Sequence, residues 1–385
     1  MPELRYLDHA ATSWPKPAEV SRAMVEALEI AGSAGRGGHA GALEGERRLA
    51  LLRASIARRL AVASPERIVL TSGGTESLNL ALGSLLEPGG HVVTTAAEHN
   101  SVLRPLEERR RRGAGDYTIV PVDVRGFVRP DDLRDAIRPA TSLIALTHVS
   151  NVTGAIQPIE AAAEIAAAAG AALLVDAAQS CGELPIDFER AGIDLLAASG
   201  HKGLRGPAGT GLLAVSTRIA DRLQPWKCGG TGSRSESLAM PAALPGRLEA
   251  GTPPLPALAG LAAAIESLPP IETELPRRRG LTERLVAGLA PFAAVRIVGP
   301  TDPDRHHGPT SVTIDDWDPH DAAAVLESEF GIRVRAGRHC AAAIHRDLGT
   351  ERLGGTLRIT PGYATTDDDI DALLDALRTM LNVTG

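Results

Sequence analysis

Residues 173–203, LLVDAAQSCGELPIDFERAGIDLLAASGHKG, decide how the rest of the chain is read. Leu173, Leu174 and Val175 form an apolar run that stops at Asp176; residues 194–198 form a second that stops at Ser199, His201 and Lys202. Short runs of this kind predict strands buried on both faces of a parallel sheet. The crevice beyond the carboxyl ends of such strands is where open α/β sheets bind ligands. Asp176 and Lys202 are therefore expected to face one crevice, with Gln179 three residues past the Asp. Singly, the Asp reads as a helix cap and the Lys as a surface cation; together they bring a carboxylate and an amine to one sheet edge.

That pairing has a chemical meaning. A carboxylate against a pyridinium nitrogen and a lysine able to form a Schiff base are the two protein groups that pyridoxal 5'-phosphate (PLP) most needs.

Working outward, the same pattern recurs. Upstream, RIVLTSGGTESLNLAL is an apolar strand, a glycine turn and a helix beginning near Thr75, whose free N–H groups and Thr75 hydroxyl form a phosphate cradle. Further strands are predicted at 91–95, 118–122, 143–147, 173–175 and 195–198, with helical stretches between them, so the fold class is α/β with a doubly wound, mostly parallel sheet. EHNS (98–101), THVSNVTG (147–154) and DAAQ (176–179) lie at the carboxyl ends of three strands. His99 reads either as a helix cap or as a ring lying flat against an aromatic cofactor. Asn151 reads as a turn residue or a carboxylate ligand.

Before these units come a strand-like entry at 5–8, the turn-rich HAATSWPKP, and a helix opened by Pro17 with Val20, Met24, Ala27 and Leu28 on its apolar face. A glycine-rich loop, AGSAGRGGHAG, offers close approach to a ligand or a plain connection. Leu49, Leu52, Ile56 and Leu60 then form a core-facing helical stripe. After them, GLRGPAGTGLLAV leads into another strand, and residues 226–256 read as a long loop that lines a site or crosses to a partner subunit. A second, α+β domain is expected to begin around Leu258. It has helices at 279–289 and 319–329, strands at 295–298 and 311–314 and near Ile332 and Leu357, and a last helix carrying Ile370, Leu373, Leu374 and Leu377.

Composition bounds the function. The 385 residues suffice for two domains with sizeable cores. Forty basic against 47 acidic side chains, net −7, argue against a nucleic-acid surface, and the arginines at 109–112 read as the solvated end of a helix. Three cysteines without metal spacing fit a reducing, cytoplasmic setting. The start, MPELRYLDHA, has no signal pattern and no apolar run reaches 18 residues, so neither secretion nor a membrane span is expected.

The ordered motifs YLDHAAT, TSGGTES, EHNSVLRP, HVSNVTGAIQPI, LLVDAAQ, SGHKGLRGP, LEAGTP, RAGRHCA and LRITPGY resemble the class V aminotransferase-like PLP enzymes, and within them the cysteine desulfurases. GGTGS and LDHAATSWPKP are most similar to a desulfurase-like branch. The resemblance implies a fold-type I PLP transferase. Its large domain would span 16–257 and carry a mostly parallel seven-stranded sheet; its small domain would comprise 1–15 and 258–385. It implies Lys202 as the Schiff-base lysine, Asp176 against the pyridine nitrogen, His99 on the ring and Gln179 at the phenolate oxygen. Gly74, Thr75, Ser199 and His201 would bind phosphate, joined by Thr252 of the other subunit in a homodimer. Asn151 and Arg358 would hold the substrate carboxylate.

Cys340 would accept sulfur. Its neighbours Arg335, Arg338 and His339 favour a thiolate, although cysteine is more often a small buried filler, the reading kept for Cys181 and Cys228. AAAIHRDLG after Cys340 lacks the proline often found in related sequences. His9 is given no role, and His306, His307 and His345 read as surface residues. The implied reaction converts L-cysteine to L-alanine with a persulfide on Cys340, for onward transfer to a sulfur-acceptor protein. A selenocysteine or cysteine-derivative lyase, a class V transaminase and a non-catalytic PLP-binding scaffold stay open. A dinucleotide-dependent oxidoreductase lacks its GxGxxG.

Overall fold

The computed structural model describes residues 3–30, 34, 37–232 and 236–383. Most of the glycine-rich loop at 31–36, and with it any ligand contact there, lies outside the described residues.

After the two-residue strand β1 (Arg5–Tyr6) come β2 (Ile68–Thr71), β3 (Gly90–Thr95), β4 (Gly115–Val120), β5 (Thr141–Thr147), β6 (Ala172–Asp176), β7 (Leu195–Ser199) and β8 (Gly211–Val215). Strands β2 to β8 form one seven-stranded sheet in the order β2-β8-β7-β6-β5-β3-β4. The pairs from β7 across to β4 are parallel, whereas β8 runs antiparallel to both of its neighbours. An antiparallel neighbour needs no crossover helix, and the connection at 200–210 has none.

Alternate residues of each strand enter two separate cores. Leu173, Val175 and Leu196 pack with Leu52, Ile56 and Leu261 on one face. Leu174, Leu195 and Leu213 pack with Leu78, Leu82 and Leu106 on the other. Cover on both faces is why these strands read as unbroken apolar runs. Strand β4 starts earlier than expected, because Gly115, Asp116 and Tyr117 pair with Gly90, His91 and Val92 despite their polarity. Sheet pairing overrides local propensity here.

The helix Leu255–Glu266 buries Leu258, Leu261 and Ile265 in the core of the large sheet. The division expected at Leu258 therefore falls inside an element of the large lobe, and we infer a division after Leu268, the last residue of this stretch in that core. Composition changes where the proline-rich loop ends, but the apolar face of the next helix decides which lobe it joins.

The small lobe contains β9 (Val295–Val298), β10 (Thr310–Ile314), β11 (Ile332–Arg333), β12 (Arg335–Gly337) and β13 (Thr356–Ile359). Its four-stranded antiparallel sheet has the order β12-β13-β10-β9. Val312 and Leu357 pack there against Leu285, Leu326 and Leu377 from the helices Ile271–Leu289, Pro319–Phe330 and Asp367–Val383. The first of these begins at Ile271, ahead of the expected 279, and carries Pro276 within it. The start of the chain joins this lobe: β1 pairs in parallel with β11, and Leu7 enters its core.

Several polar residues differ from expectation. His306, His307 and His345 are buried rather than on the surface. Each finds a partner inside: His306 Nε2 at 2.8 Å from the Pro309 carbonyl, His307 Nε2 at 2.9 Å from Glu183 Oε2, and His345 Nδ1 at 2.7 Å from Thr350 Oγ1. Cys181 is buried as expected, but Cys228 is exposed. Among the described residues no helix is long and apolar enough to cross a membrane.

Candidate active site

The carboxyl ends of β5, β6 and β7 open into a cavity of about 360 Å³ at the junction with the small lobe. Of the site residues expected from sequence, all but Cys340 and Thr252 line it.

Asp176 ends β6 with its side chain buried. Burial pushes its carboxyl upward, opposed by the Ala178 N–H, which donates to Oδ1 at 2.9 Å, and by Lys202. Lys202 follows the end of β7. Burial pulls its ammonium down to about 8; Asp176 opposes this, while Arg358 and Arg335 add to it. No described residue hydrogen-bonds its Nζ, so the amine is left for a ligand.

Ser199 and Gly74 form the next wall. The Gly74 N–H donates to Ser199 Oγ at 3.2 Å, and a Cβ on Gly74 would lie 2.5 Å from that oxygen, so a larger residue would force the turn away from β7. Gly74 opens the helix Gly74–Leu85, whose first N–H groups face the cavity end with the Thr75 hydroxyl. Thr75 Oγ1 lies 2.8 Å from Ser101 Oγ. His99 is both cap and wall. Its Nδ1 accepts from the Ser101 N–H at 3.0 Å at the start of the helix Asn100–Arg111, which leaves Nε2 to carry the proton. Burial, followed by Lys202 and Arg335, pulls its imidazole down to about 4, so the ring is neutral.

On the small-lobe side, Arg358 is 1% exposed. Its Nη1 donates to the Asn151 carbonyl at 2.9 Å and its Nη2 to Asp8 Oδ1 at 2.7 Å, while its buried Nε has no partner among the described residues. Asn151 Nδ2 donates to the His339 carbonyl at 2.6 Å. Gln179 Nε2 donates to the Ala10 carbonyl at 3.1 Å, and His201 Nδ1 lies 3.1 Å from Thr12 Oγ1.

Cys340 is exposed beside the cavity, with Arg335 Nη2 at 3.3 Å from Sγ. His339 and Cys340 both have left-handed backbones, φ 49° and 59°, a conformation that costs a non-glycine residue about 1–3 kcal/mol. Their carbonyls are both held, that of His339 by Asn151 and that of Cys340 by the Asn100 N–H at 2.7 Å, and His339 Nε2 lies 2.9 Å from Thr356 Oγ1. Thr252 lies outside the cavity, in a neighbouring depression that shares Ser72 and Glu76 with it.

The donor set fits PLP. A buried carboxylate with one hydrogen bond suits a pyridinium nitrogen, an unpartnered amine an aldehyde, a neutral imidazole the ring face, and a glycine-opened helix start with hydroxyls the phosphate. The guanidinium of Arg358, which lines the cavity, suits a substrate carboxylate.

Sequence reasoning missed Arg335 and His339 as parts of this wall, and Asp8 as the carboxylate that holds Arg358. Asp8 stands in a quoted motif, but its partner Arg358 is 350 positions away, and only the fold joins them. Replacing Arg358 with lysine removes the planar fork, and the KM for the amino-acid substrate is expected to rise about 10-fold or more with full cofactor content retained; steady-state kinetics check this.

Glu98 is a second buried carboxyl. Its Oε1 accepts from the Thr147 N–H at 2.9 Å and the Thr95 hydroxyl at 2.7 Å, and burial lifts it from 4.5 to about 8. The folded state thus holds this proton more tightly than the unfolded chain. Its stabilising contribution is complete below pH 4.5 and is lost as pH rises through about 8. Glu98→Gln keeps the acceptor oxygen and removes the titration, so its melting temperature relative to the parent is expected to improve between pH 5 and pH 9. Parallel thermal melts would reveal it; a pH-independent difference would count against a buried, titrating Glu98.

The aminotransferase class-V family model matches residues 5–373. The chain belongs to that family of PLP-dependent enzymes. Within it, the chain is similar to a probable cysteine desulfurase of Methanothermobacter thermautotrophicus, at 36% identity over 97% of this chain and 93% of the relative. A probable cysteine desulfurase of Aeropyrum pernix is 34% identical over 98% and 94%. Among solved structures, the apo structure of a cysteine desulfurase from Thermococcus onnurineus NA1 aligns with TM-score 0.90 and 31% identity, covering 98% of this chain and 95% of that one. The cysteine desulfurase CsdA (S-sulfonic acid) from Escherichia coli aligns with TM-score 0.87 and 30% identity over 98% and 94%. The seven-stranded α/β fold and the kinship with cysteine desulfurases expected from sequence are thereby both met.

Proposed function

We propose that this chain is a cysteine desulfurase that converts L-cysteine to L-alanine and holds the sulfur as a persulfide on Cys340. The observation that carries this reading is the Cys340 thiol, beside a cavity whose lining suits PLP and 3.3 Å from the Arg335 guanidinium. When bound, PLP supplies an electron sink for charge developing at the substrate Cα.

The residues of the chain do the rest. Arg358 and Asn151 hold the substrate carboxylate, which fixes the direction of the Cα–H bond. Lys202, whose ammonium is pulled down to about 8, reaches the free-amine form far more readily than an exposed lysine and takes the Cα proton. Cys340 Sγ, as the thiolate, attacks the substrate sulfur: a sulfur–sulfur bond forms, the Cβ–S bond breaks and its electron pair leaves with Cβ, which is protonated, and Lys202 returns a proton to Cα to give alanine. Arg335, hydrogen-bonded to Sγ, steadies the attacking sulfur. Exposure of Cys340 suits onward transfer to an acceptor protein. Thr252 belongs to the phosphate site of a partner subunit in a homodimer, which accounts for its place outside its own chain's cavity.

Mass spectrometry after brief exposure to L-cysteine, paired with an alanine assay, tests the reading. A gain of one sulfur on Cys340 with stoichiometric alanine is expected. A full cofactor spectrum with alanine but no sulfur on the protein would turn the assignment to a lyase.

A further inference from the structure

The turn-rich segment HAATSWPKP contains a cation to which the reaction above gives no role. The carbonyl of His201, in the peptide group that leads directly into Lys202, receives four donors from residues 12–16. They are the Ser13 N–H at 3.0 Å, the Ser13 hydroxyl at 3.0 Å, the Thr12 hydroxyl at 3.1 Å and the Lys16 ammonium at 2.8 Å. A carbonyl oxygen offers two lone pairs, so this one is fully engaged and its peptide plane is fixed from one side. Lys16 Nζ also bonds Ser13 Oγ at 2.8 Å, and among the described residues no carboxylate pairs with it. Burial pulls its ammonium down to about 8. A half-buried cation with only neutral acceptors is unfavourable as a stabilising device. What it does accomplish is to hold one particular carbonyl.

This segment and Asp8 just ahead of it reach the other parts of the site in order along the chain. Asp8 Oδ1 holds Arg358 at 2.7 Å, the Ala10 carbonyl holds Gln179 at 3.1 Å, and Thr12 Oγ1 holds the His201 ring at 3.1 Å. Its far side is anchored in turn: the Tyr6 hydroxyl donates to the Thr12 carbonyl at 3.0 Å, and the Tyr363 hydroxyl donates to the Pro15 carbonyl.

We propose that Lys16 is a positioning residue for Lys202: by gripping the His201 carbonyl it sets the direction in which the Lys202 amine enters the cavity, relative to an arginine held by the same short strap. The proposal rests on the reading of Lys202 as the lysine that takes the cofactor and moves the Cα proton.

Lys16→Met and Lys16→Arg test it, first in the apoprotein. The readout is the rate at which added PLP is captured, followed by visible absorbance, with circular dichroism of the bound cofactor recorded afterwards. Lys16→Met is expected to slow capture and lower kcat by about 10- to 100-fold, the scale of a small misplacement of a reacting group. KM should stay near the parental value, the dichroic band should change, and the melting temperature of the apoprotein should be retained. Lys16→Arg should recover most of the loss. If Lys16→Met fails to fold, Thr12→Val, which deletes a donor to the same carbonyl and the tie to the His201 ring, is expected to show a smaller defect of the same kind. Parental capture and kcat in Lys16→Met, or in Thr12→Val if that variant stands in, would overturn the proposal. So would a loss matched by a fall in melting temperature and not recovered by arginine. Lys202→Ala separates the two readings. If its apoprotein gains the cofactor band normally, the role of Lys202 itself fails. If that band is lost while Lys16→Met behaves as the parent, only the role of Lys16 fails.

Discussion

Lys202→Ala is expected to reduce L-cysteine turnover by about 10⁴-fold or more, since in the function proposed above one side chain supplies both the covalent hold on the cofactor and the base for the Cα proton. Removing the amine also removes the group whose charge offsets Asp176 across the cavity. The variant should therefore bind PLP more weakly and without the visible band that a lysine linkage produces. The parent provides a pH control. With its ammonium pulled to about 8 by burial, the Lys202 amine is half free near pH 8 rather than near 10.5, so capture of PLP by the apoprotein should rise through a midpoint near pH 8. A midpoint close to that of a solvent-exposed lysine would mean that the amine is not enclosed as described.

Cys340→Ser carries the second large effect, of a different kind. Serine is close in size and keeps the loop ties, because those run through the His339 and Cys340 carbonyls and not through the side chain. Cofactor content, the visible spectrum and the melting temperature should thus match the parent. Alanine formation from cysteine is expected to fall about 100-fold or more, because a hydroxyl at neutral pH is a far poorer nucleophile toward sulfur than a thiol. Exchange of the substrate Cα proton with deuterium, which the proposed function assigns to Lys202 with Asn151 and Arg358, should persist. If alanine production is unchanged, sulfur leaves without passing through Cys340, and a lyase becomes the better description.

These two variants divide the site along a line that the chain itself draws. Lys202, Asp176, Ser199 and Gly74 sit on the large sheet and its first helix, where short apolar strands and a glycine turn announce both the element and the end at which it stops. Period-2 burial on two faces leaves little choice about where such strands lie, and polar residues at their carboxyl ends must then face a common edge. This half of the site was legible one segment at a time. The antiparallel course of β8 was not, because an apolar run has no direction; only its pairing with β2 and β7 shows it.

The half contributed by the small lobe and the first residues of the chain was decided in three dimensions. Arg358 lies on a strand with an ordinary apolar pattern, and nothing near it in sequence says that Asp8 and Asn151 will hold its guanidinium. Lys16 stands in a proline-flanked turn with no sign that the peptide beside Lys202 is its partner. His306, His307 and His345 read as surface residues because histidine is polar, and they are buried because each meets a carbonyl, carboxylate or hydroxyl supplied by folding.

Local pattern thus set the layers of the large sheet and the edge at which its chemistry gathers. A strand's periodicity is a property of neighbouring residues, and burial reads it directly. Which distant groups complete that edge was left to tertiary packing, since a hydrogen bond between residues hundreds of positions apart leaves no periodic trace in either segment.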